Sequence, residues 1–172
     1  MSTDLYYNTT TLILDDRDPN IHYKGSWEEK RTSNEYQDTT TGSLLDISNC
    51  SFQFGFLGTA VEVFGTLGNS TPPPVVKFQI DDLPWVIYQP EQDTTPIYKL
   101  LFYSSITLSD GHHNLTATVL NQQIFWFDYL LYTPSPPTET SGTSSLSSSS
   151  SLSFLSGSPT PAPFPPGHPQ GT

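Results

Sequence analysis

The chain predicts an all-β fold, an antiparallel β-sandwich of jelly-roll type, and three features carry that prediction. Apolar and polar residues alternate over short runs, turn residues punctuate the runs about every ten positions, and helical periodicity is hard to find. Composition limits where this fold can sit. The 172 residues are 34% apolar and 13% aromatic, enough to fill one core. From Pro134 onward, however, come 12 Ser, 5 Thr and 9 Pro, with Glu139 as the one carboxylate and no Lys or Arg. That composition cannot offset the entropy of ordering the chain. Residues 1–133 are therefore expected to form the folded domain, and residues 134–172 a disordered Ser/Thr/Pro stalk, O-glycosylated or bare.

The strands follow in chain order. Thr11 to Asp15 alternates, with Leu12 and Leu14 on one face, and "SLLDI" comes next. "SFQFGF" sets Phe52, Phe54 and Phe56 on one side and Ser51, Gln53 and Gly55 on the other. A turn is expected at Gly58-Thr59, after which a second strand carries Val61 and Val63 on one face and Glu62 on the other. "VVKFQIDDLPWVIY" opposes Val76, Phe78 and Ile80 to Lys77 and Gln79, breaks at Asp81-Asp82 and restarts at Trp85. "YKLLFYSS" leads to Leu108, and Asp110-Gly111 is expected to supply the positive-φ positions of a tight turn. "HNLTATVL" places Leu115, Ala117 and Val119 inside. "IFWFDYLLY" is apolar on both faces, as a central strand is, and Trp126 is assigned to the core. Eight to ten such strands with polar turns make a sandwich.

Charge and cysteine usage narrow the setting. Seventeen Asp and Glu against six Lys and Arg, none of the latter after Lys99, leave no basic patch for nucleic acid. No window approaches 18 apolar residues, so a membrane is reached only through an anchor that this sequence lacks, and its start shows no signal peptide. Cys50 is the one cysteine, expected to be a buried thiol; no intrachain disulfide is available. Four N-glycosylation acceptors occur, at Asn8, Asn49, Asn69 and Asn114, and strand parity with Leu115 turns Asn114 to solvent. The expected location is extracellular or at the cell surface.

The order of these segments, "DDRDPNIHYKGSW", "FGFLGTAVEVFGTL", "VKFQIDD", "LLFYSSITLSDGHHNLTATVL" and "FWFDYLLY", resembles the galactose-binding-like jelly-roll domain of fungal single-pass surface proteins. The resemblance covers residues 11–133 and extends to the type of tail. It implies a carbohydrate-binding-module-like architecture on a stalk.

Catalysis is not expected. His112 and His113 are adjacent in a strand and so point to opposite faces, and no nucleophile elbow, zinc-binding helix or phosphate loop is present. Asp128, flanked by apolar groups, is expected to satisfy backbone or Tyr donors. No cofactor is implied beyond a structural calcium, for which Asp15, Asp16 and Asp18 are the candidate ligands; the bland alternative is that Asp16 and Asp18 cap a turn. Sugars are held by flat aromatic faces with a few polar partners. Trp27, Tyr36, Trp85 and Tyr88 stand among polar or turn residues and are the stacking candidates, with Glu28, Glu29, Asn34, Gln37 and Asp82 as hydrogen-bonding groups. The leading expectation is non-catalytic binding of a glycan or cell-wall polysaccharide. The alternatives are a structural or sensor ectodomain without a small ligand, or an accessory domain of a hydrolase; the oligomeric state is left open.

Overall fold

In a computed structural model of the chain, residues 11–44, 50–69 and 71–136 are described. They form ten antiparallel strands: β1 (Leu12–Asp15), β2 (Ile21–Lys24), β3 (Trp27–Arg31), β4 (Thr39–Ser43), β5 (Ser51–Leu67), β6 (Val76–Ile80), β7 (Val86–Tyr88), β8 (Ile97–Ser104), β9 (Gly111–Val119) and β10 (Trp126–Pro134). A 3-10 turn, Tyr36–Asp38, precedes β4. The expected jelly-roll sandwich is what the chain forms.

One strand builds both layers. Residues 51–58 of β5 pair with β9 on one edge and, through residues 51–54, with β2 on the other. Its later part pairs with β10 and β8. One layer therefore runs β2-β5-β9-β6-β7, and the other runs β8-β5-β10-β4-β3, with β1 following β4 along the same edge of β10. Here the structure corrects the expected turn at Gly58-Thr59, because β5 is a single strand of 17 residues. The irregularity is a bulge: Ala60 opposes Thr133, Gly58 opposes Pro134, and Thr59 is the extra residue. Burial changes parity across it, from Phe52, Phe54 and Phe56 to Val61 and Val63. An extra residue in a period-2 pattern turns the next set of side chains over, which lets the strand cross from one sheet to the other with its apolar residues still inward.

The core lies between the layers. Phe52 stacks on Phe127 with centroids 4.5 Å apart, Phe78 on Tyr103 at 4.9 Å, and Tyr88 meets Phe102 edge-on at 5.4 Å. Each pair joins side chains from opposite sheets. Val61, Val63, Phe78, Leu115, Phe125, Phe127 and Leu130 are fully buried, so the core needs no cross-link, and Cys50 is a buried free thiol, as expected.

Other expectations change. Among the described residues the positive-φ positions are Gly25, Gln37, Asp38, Asp81 and Lys99; Gly111 is not one of them and simply begins β9. The connection from β8 to β9 is a longer loop anchored by buried Leu108, whose N–H donates to Thr59 O at 2.8 Å. Of "SLLDI", Ser43 closes β4, Leu44 is exposed, and residues 45–47 lie outside the described residues. Strands β2 to β4 are additions. β3 reads WEEKR, charged and exposed as an edge strand often is, and β4 is buried Thr and Gly with no apolar alternation to announce it. Most of residues 134–172 lies outside the described set; β10 runs to Pro134, and Ser135 N donates to Leu57 O at 3.1 Å.

A Cβ on Gly58 would collide with the Thr133 carbonyl oxygen, whereas at Gly55, in the same strand, it would meet nothing within 4 Å. Gly58→Ala is expected to lower unfolding free energy in urea by about 2 kcal/mol or more, and Gly55→Ala to change it by less than about 1 kcal/mol. Equal midpoints for the two variants would contradict the corner described above.

Candidate functional site

The expected sugar-binding aromatics are not gathered together. Trp27 is the first residue of β3 and not a loop residue; its ring packs on Tyr23 at 4.9 Å and its Nε1–H donates to Lys24 O at 2.9 Å. Tyr88 packs on Phe102 inside the sandwich. Trp85 is exposed ahead of β7, at the far end of the strand order from β3. Tyr36 packs at a tilt against Tyr129, centroids 5.4 Å apart, and Tyr129 in turn lies flat on Phe64 at 4.7 Å. Glu28, Glu29, Asn34, Gln37 and Asp82 are all exposed, and Gln37 Oε1 accepts from Arg17 Nη2 at 3.3 Å.

A different group of side chains does converge. Lys30, Thr40, Thr66, Tyr98 and Trp126, together with Thr32, Glu35, Gly68 and Pro96, line a cleft of about 170 Å³. Trp126 is half-buried here, a correction to its assignment to the core. Its indole lies across Gly42, where any Cβ would overlap the ring, and Lys30 Nζ sits 4.3 Å from the ring centroid. Register explains the convergence. Trp126 opposes Gly42 of β4 on one side and Thr66 of β5 on the other, and Lys30 opposes Thr40, so these side chains share one face of the sheet.

Beneath the cleft runs a layer of buried polar groups. Thr66 Oγ1 lies 2.8 and 2.7 Å from the two oxygens of buried Glu35 and donates its proton to that carboxylate. Thr40 Oγ1 donates to Phe127 O at 2.7 Å. Asp128, fully buried, accepts from Tyr36 N at 2.8 Å through Oδ1, while its Oδ2 is buried without a hydrogen-bond partner. The expectation that Asp128 serves a backbone donor is met by Tyr36 N. Burial first, then the negative charge of Glu35, pushes the Asp128 carboxyl well above the usual carboxylate range. Asp16 is raised to about 6 by burial, although the hydroxyls of Thr41 (2.6 Å) and Thr39 (2.8 Å) donate to it. Glu35 was not legible as a site residue, because "SNEYQD" looks like any polar loop.

Asp15, Asp16 and Asp18 do not form a calcium ligand set. Asp15 pairs with Arg17 Nε at 2.6 Å, Asp16 receives the two threonine hydroxyls, and Asp18 Oδ1 accepts from Asn20 N and Nδ2, both at 2.9 Å, in a turn. Among the described residues no group of three or more His, Cys, Asp or Glu is placed to hold a metal.

The two histidines diverge as expected. His112 is exposed; His113 packs on Phe56 and places Nδ1 2.7 Å from Asp81 Oδ2 and Nε2 2.8 Å from Ser109 O. Two acceptors for one ring favour the doubly protonated form, and the Asp81 contact raises the His113 pKa. Asn69 and Asn114 are exposed, whereas Asn8 and Asn49 lie outside the described residues.

No protein-family model matches this chain, and no curated protein does. Solved structures do. The CBM35 from Cellvibrio japonicus Abf62 superposes with a TM-score of 0.53 at 8% identity, over 73% of this chain and 95% of that one. The family 35 carbohydrate binding module from Clostridium thermocellum gives 0.50 at 12%, over 71% and 98%. A family two carbohydrate esterase from Cellvibrio japonicus gives 0.51 at 12%, over 73% of this chain. This chain spans 34% of that esterase and 29% of the similar exo-β-1,3-galactanase from Phanerochaete chrysosporium. At these identities the likeness establishes the fold, a β-sandwich of the kind found in carbohydrate-binding modules.

The buried acids make stability pH-dependent. Asp128 and Asp16 hold protons in the folded chain at pH values where the unfolded chain, with Asp near its ordinary value of about 3.9, has released them. Their contribution to stability is therefore fully present below the unfolded value and is lost as pH rises from there through the folded values; His113, raised above its own ordinary value, acts in the same sense at higher pH. The urea midpoint is expected to be higher near pH 5 than near pH 7.5, with Asp128→Asn flattening the difference. A midpoint that climbs over this interval would rule out the buried acids as described.

Proposed function

We propose that the domain is a non-catalytic glycan-recognition module, working outside the cell or at its surface, and that the cleft around Trp126 is its binding site. The observation that carries this reading is the composition of the cleft: an indole and the phenol of Tyr98 as apolar walls, with threonine hydroxyls and the Lys30 ammonium as polar partners. That is the combination a pyranose needs, C–H-rich faces against aromatic rings and hydroxyls against donors and acceptors. Lys30 now covers the indole, but an exposed cation–π contact is worth only about 0.5–1 kcal/mol, so a sugar can displace it. The polar layer supports the walls rather than reacting: Asp128 is fully buried and cannot reach a substrate oxygen. The fold shared with carbohydrate-binding modules supports the reading, as do the exposed Asn69 and Asn114 acceptors for an extracellular setting. The sequence resemblance to fungal surface proteins suggests the kind of protein that would carry it.

One observation favours the alternative of a display or sensor domain without a small ligand. The cleft, at about 170 Å³, is smaller than the roughly 300 Å³ at which small-molecule sites begin.

A glycan-array screen followed by calorimetry with the full chain separates the two. Trp126→Ala is expected to weaken binding about thirty-fold or more, the loss of one hot-spot contact, while Trp85→Ala leaves it unchanged. Folded protein that binds no glycan would favour display. Turnover of aryl glycosides or esters would instead make it an enzyme.

A further inference from the structure

We propose that His113 is an acid-closed latch: its doubly protonated ring holds Ser109 and Asp110 toward the turn that follows β6, and loss of one ring proton frees them. Two chain segments meet here around a hollow of about 400 Å³. Asp81, Asp82 and Leu83 line it from one segment and Ile106 to Ser109 from the other, with His113 of β9 completing the lining. Among the described residues, the His113 ring is the one side chain with polar contacts to both segments. Nδ1 lies 2.7 Å from Asp81 Oδ2, and Nε2 lies 2.8 Å from Ser109 O.

The partners make the latch depend on a proton. A carboxylate and a carbonyl oxygen only accept, so both ring nitrogens must donate, and that requires the imidazolium. A neutral ring keeps a lone pair on one nitrogen. Facing that lone pair with the full charge of Asp81 is the worse arrangement, so the remaining proton stays at Nδ1, and the contact given up is the one to Ser109 O. At 2.8 Å an unprotonated nitrogen and a carbonyl oxygen repel, and Ser109 moves away. The charged groups that face the ring are Asp81 from the turn and Asp110 from the β8–β9 connection; Phe56, opposite it on β5, is uncharged. Both acids favour the protonated ring, whose pKa lies above its ordinary value of 6.5. The latch is therefore closed below that ordinary value and opens as pH rises through the raised one.

The rest of the connection sets where the release stops. Ser105 N donates to Val61 O at 2.9 Å and Leu108 N to Thr59 O at 2.8 Å, and the Leu108 side chain is buried, so residues 105–108 keep their anchors in either state of the ring. From Gly111 onward the β9 ladder holds the chain. Ser109 and Asp110 alone lie between these fixed points, and the Asp110 carboxylate accepts from Ser135 Oγ, just past the end of β10. The latch thus acts on one end of the hollow and on the tie between this connection and the chain beyond the last strand. None of these residues lines the cleft around Trp126, so the proposal is independent of the glycan reading.

The test is nitrogen-15 NMR of the full chain from about pH 6 to about pH 9, spanning the interval above the ordinary histidine value. It follows the His113 ring signals together with the heteronuclear NOE of the backbone amides, which reports picosecond-to-nanosecond order. The NOE of Ser109 and Asp110 is expected to fall with the same midpoint as the ring titration, while Ser105 and Leu108 stay constant. His113→Gln, which replaces two opposed donors by one amide nitrogen, is expected to show the low NOE at every pH. Asp81→Asn keeps an oxygen for Asn114 N but removes the charge, and is expected to move the midpoint down toward 6.5. Ser109 and Asp110 equally ordered on both sides of the ring titration, or a step that survives in His113→Gln, would overturn the proposal. So would a midpoint unmoved by Asp81→Asn, which would assign the step to the buried acids Asp16 and Asp128.

Discussion

The architecture depends on one irregularity in one strand. β5 is long enough to run through both sheets, and it can do so only because Thr59 is inserted into its pairing with β10. Without that extra residue the alternation Phe52, Phe54, Phe56 would continue in phase, and Val61 and Val63 would face water. Two valines turned outward would forfeit on the order of 3 kcal/mol or more of burial. Gly58 is part of the same device, since the neighbouring strand's carbonyl occupies the space a side chain would need. The corner brings β2, β9, β10 and β8 onto a single element, and the stacked aromatic pairs between the layers follow from it.

The second feature of this molecule is acid buried without a neutralising cation. Asp16, Glu35 and Asp128 are all buried beside β4 and β10, compensated mainly by threonine hydroxyls and one backbone N–H. Such groups are costly when ionised in a site of low polarity, and the raised values of Asp16 and Asp128 express that cost. What the arrangement supplies is position. Glu35 holds Thr66, Asp128 holds the backbone at Tyr36, and between them the floor of the cleft is tied to the loop that precedes β4. The aromatic wall thus rests on a floor whose own groups are fixed by hydrogen bonds to residues far along the chain.

Where strands were legible, side-chain alternation made most of them so: Val76, Phe78 and Ile80 in β6 and Leu115, Ala117 and Val119 in β9 sit as the pattern requires, while β10 was read from a run apolar on both faces. Strands with neither pattern were invisible. β3 is a run of charges at an edge, and β4 is threonine and glycine, buried for polar reasons that hydropathy does not register. The site suffered the same way. Trp27 looked like a loop aromatic because its neighbours are polar, yet an edge strand also has polar neighbours; Trp126 looked like core because its neighbours are apolar, yet β10 has a face that opens onto the cleft. Glu35 carried no signal, since nothing local distinguishes a buried glutamate from a solvated one.

The sequence by itself determined the class of fold, the layer to which most apolar side chains belong, the outward turn of Asn114 and the opposed directions of His112 and His113. All of these follow from the period of two along an extended chain, which is a local property. The tertiary structure alone decided that 51–67 is one bent strand, that Trp126 meets Lys30 and Tyr98 across a cleft, and that three acids share the ground around β10. Those contacts join residues tens of positions apart, and their geometry is set by pairing register and by where a bulge falls. Neither is encoded in the polarity of the residues that meet.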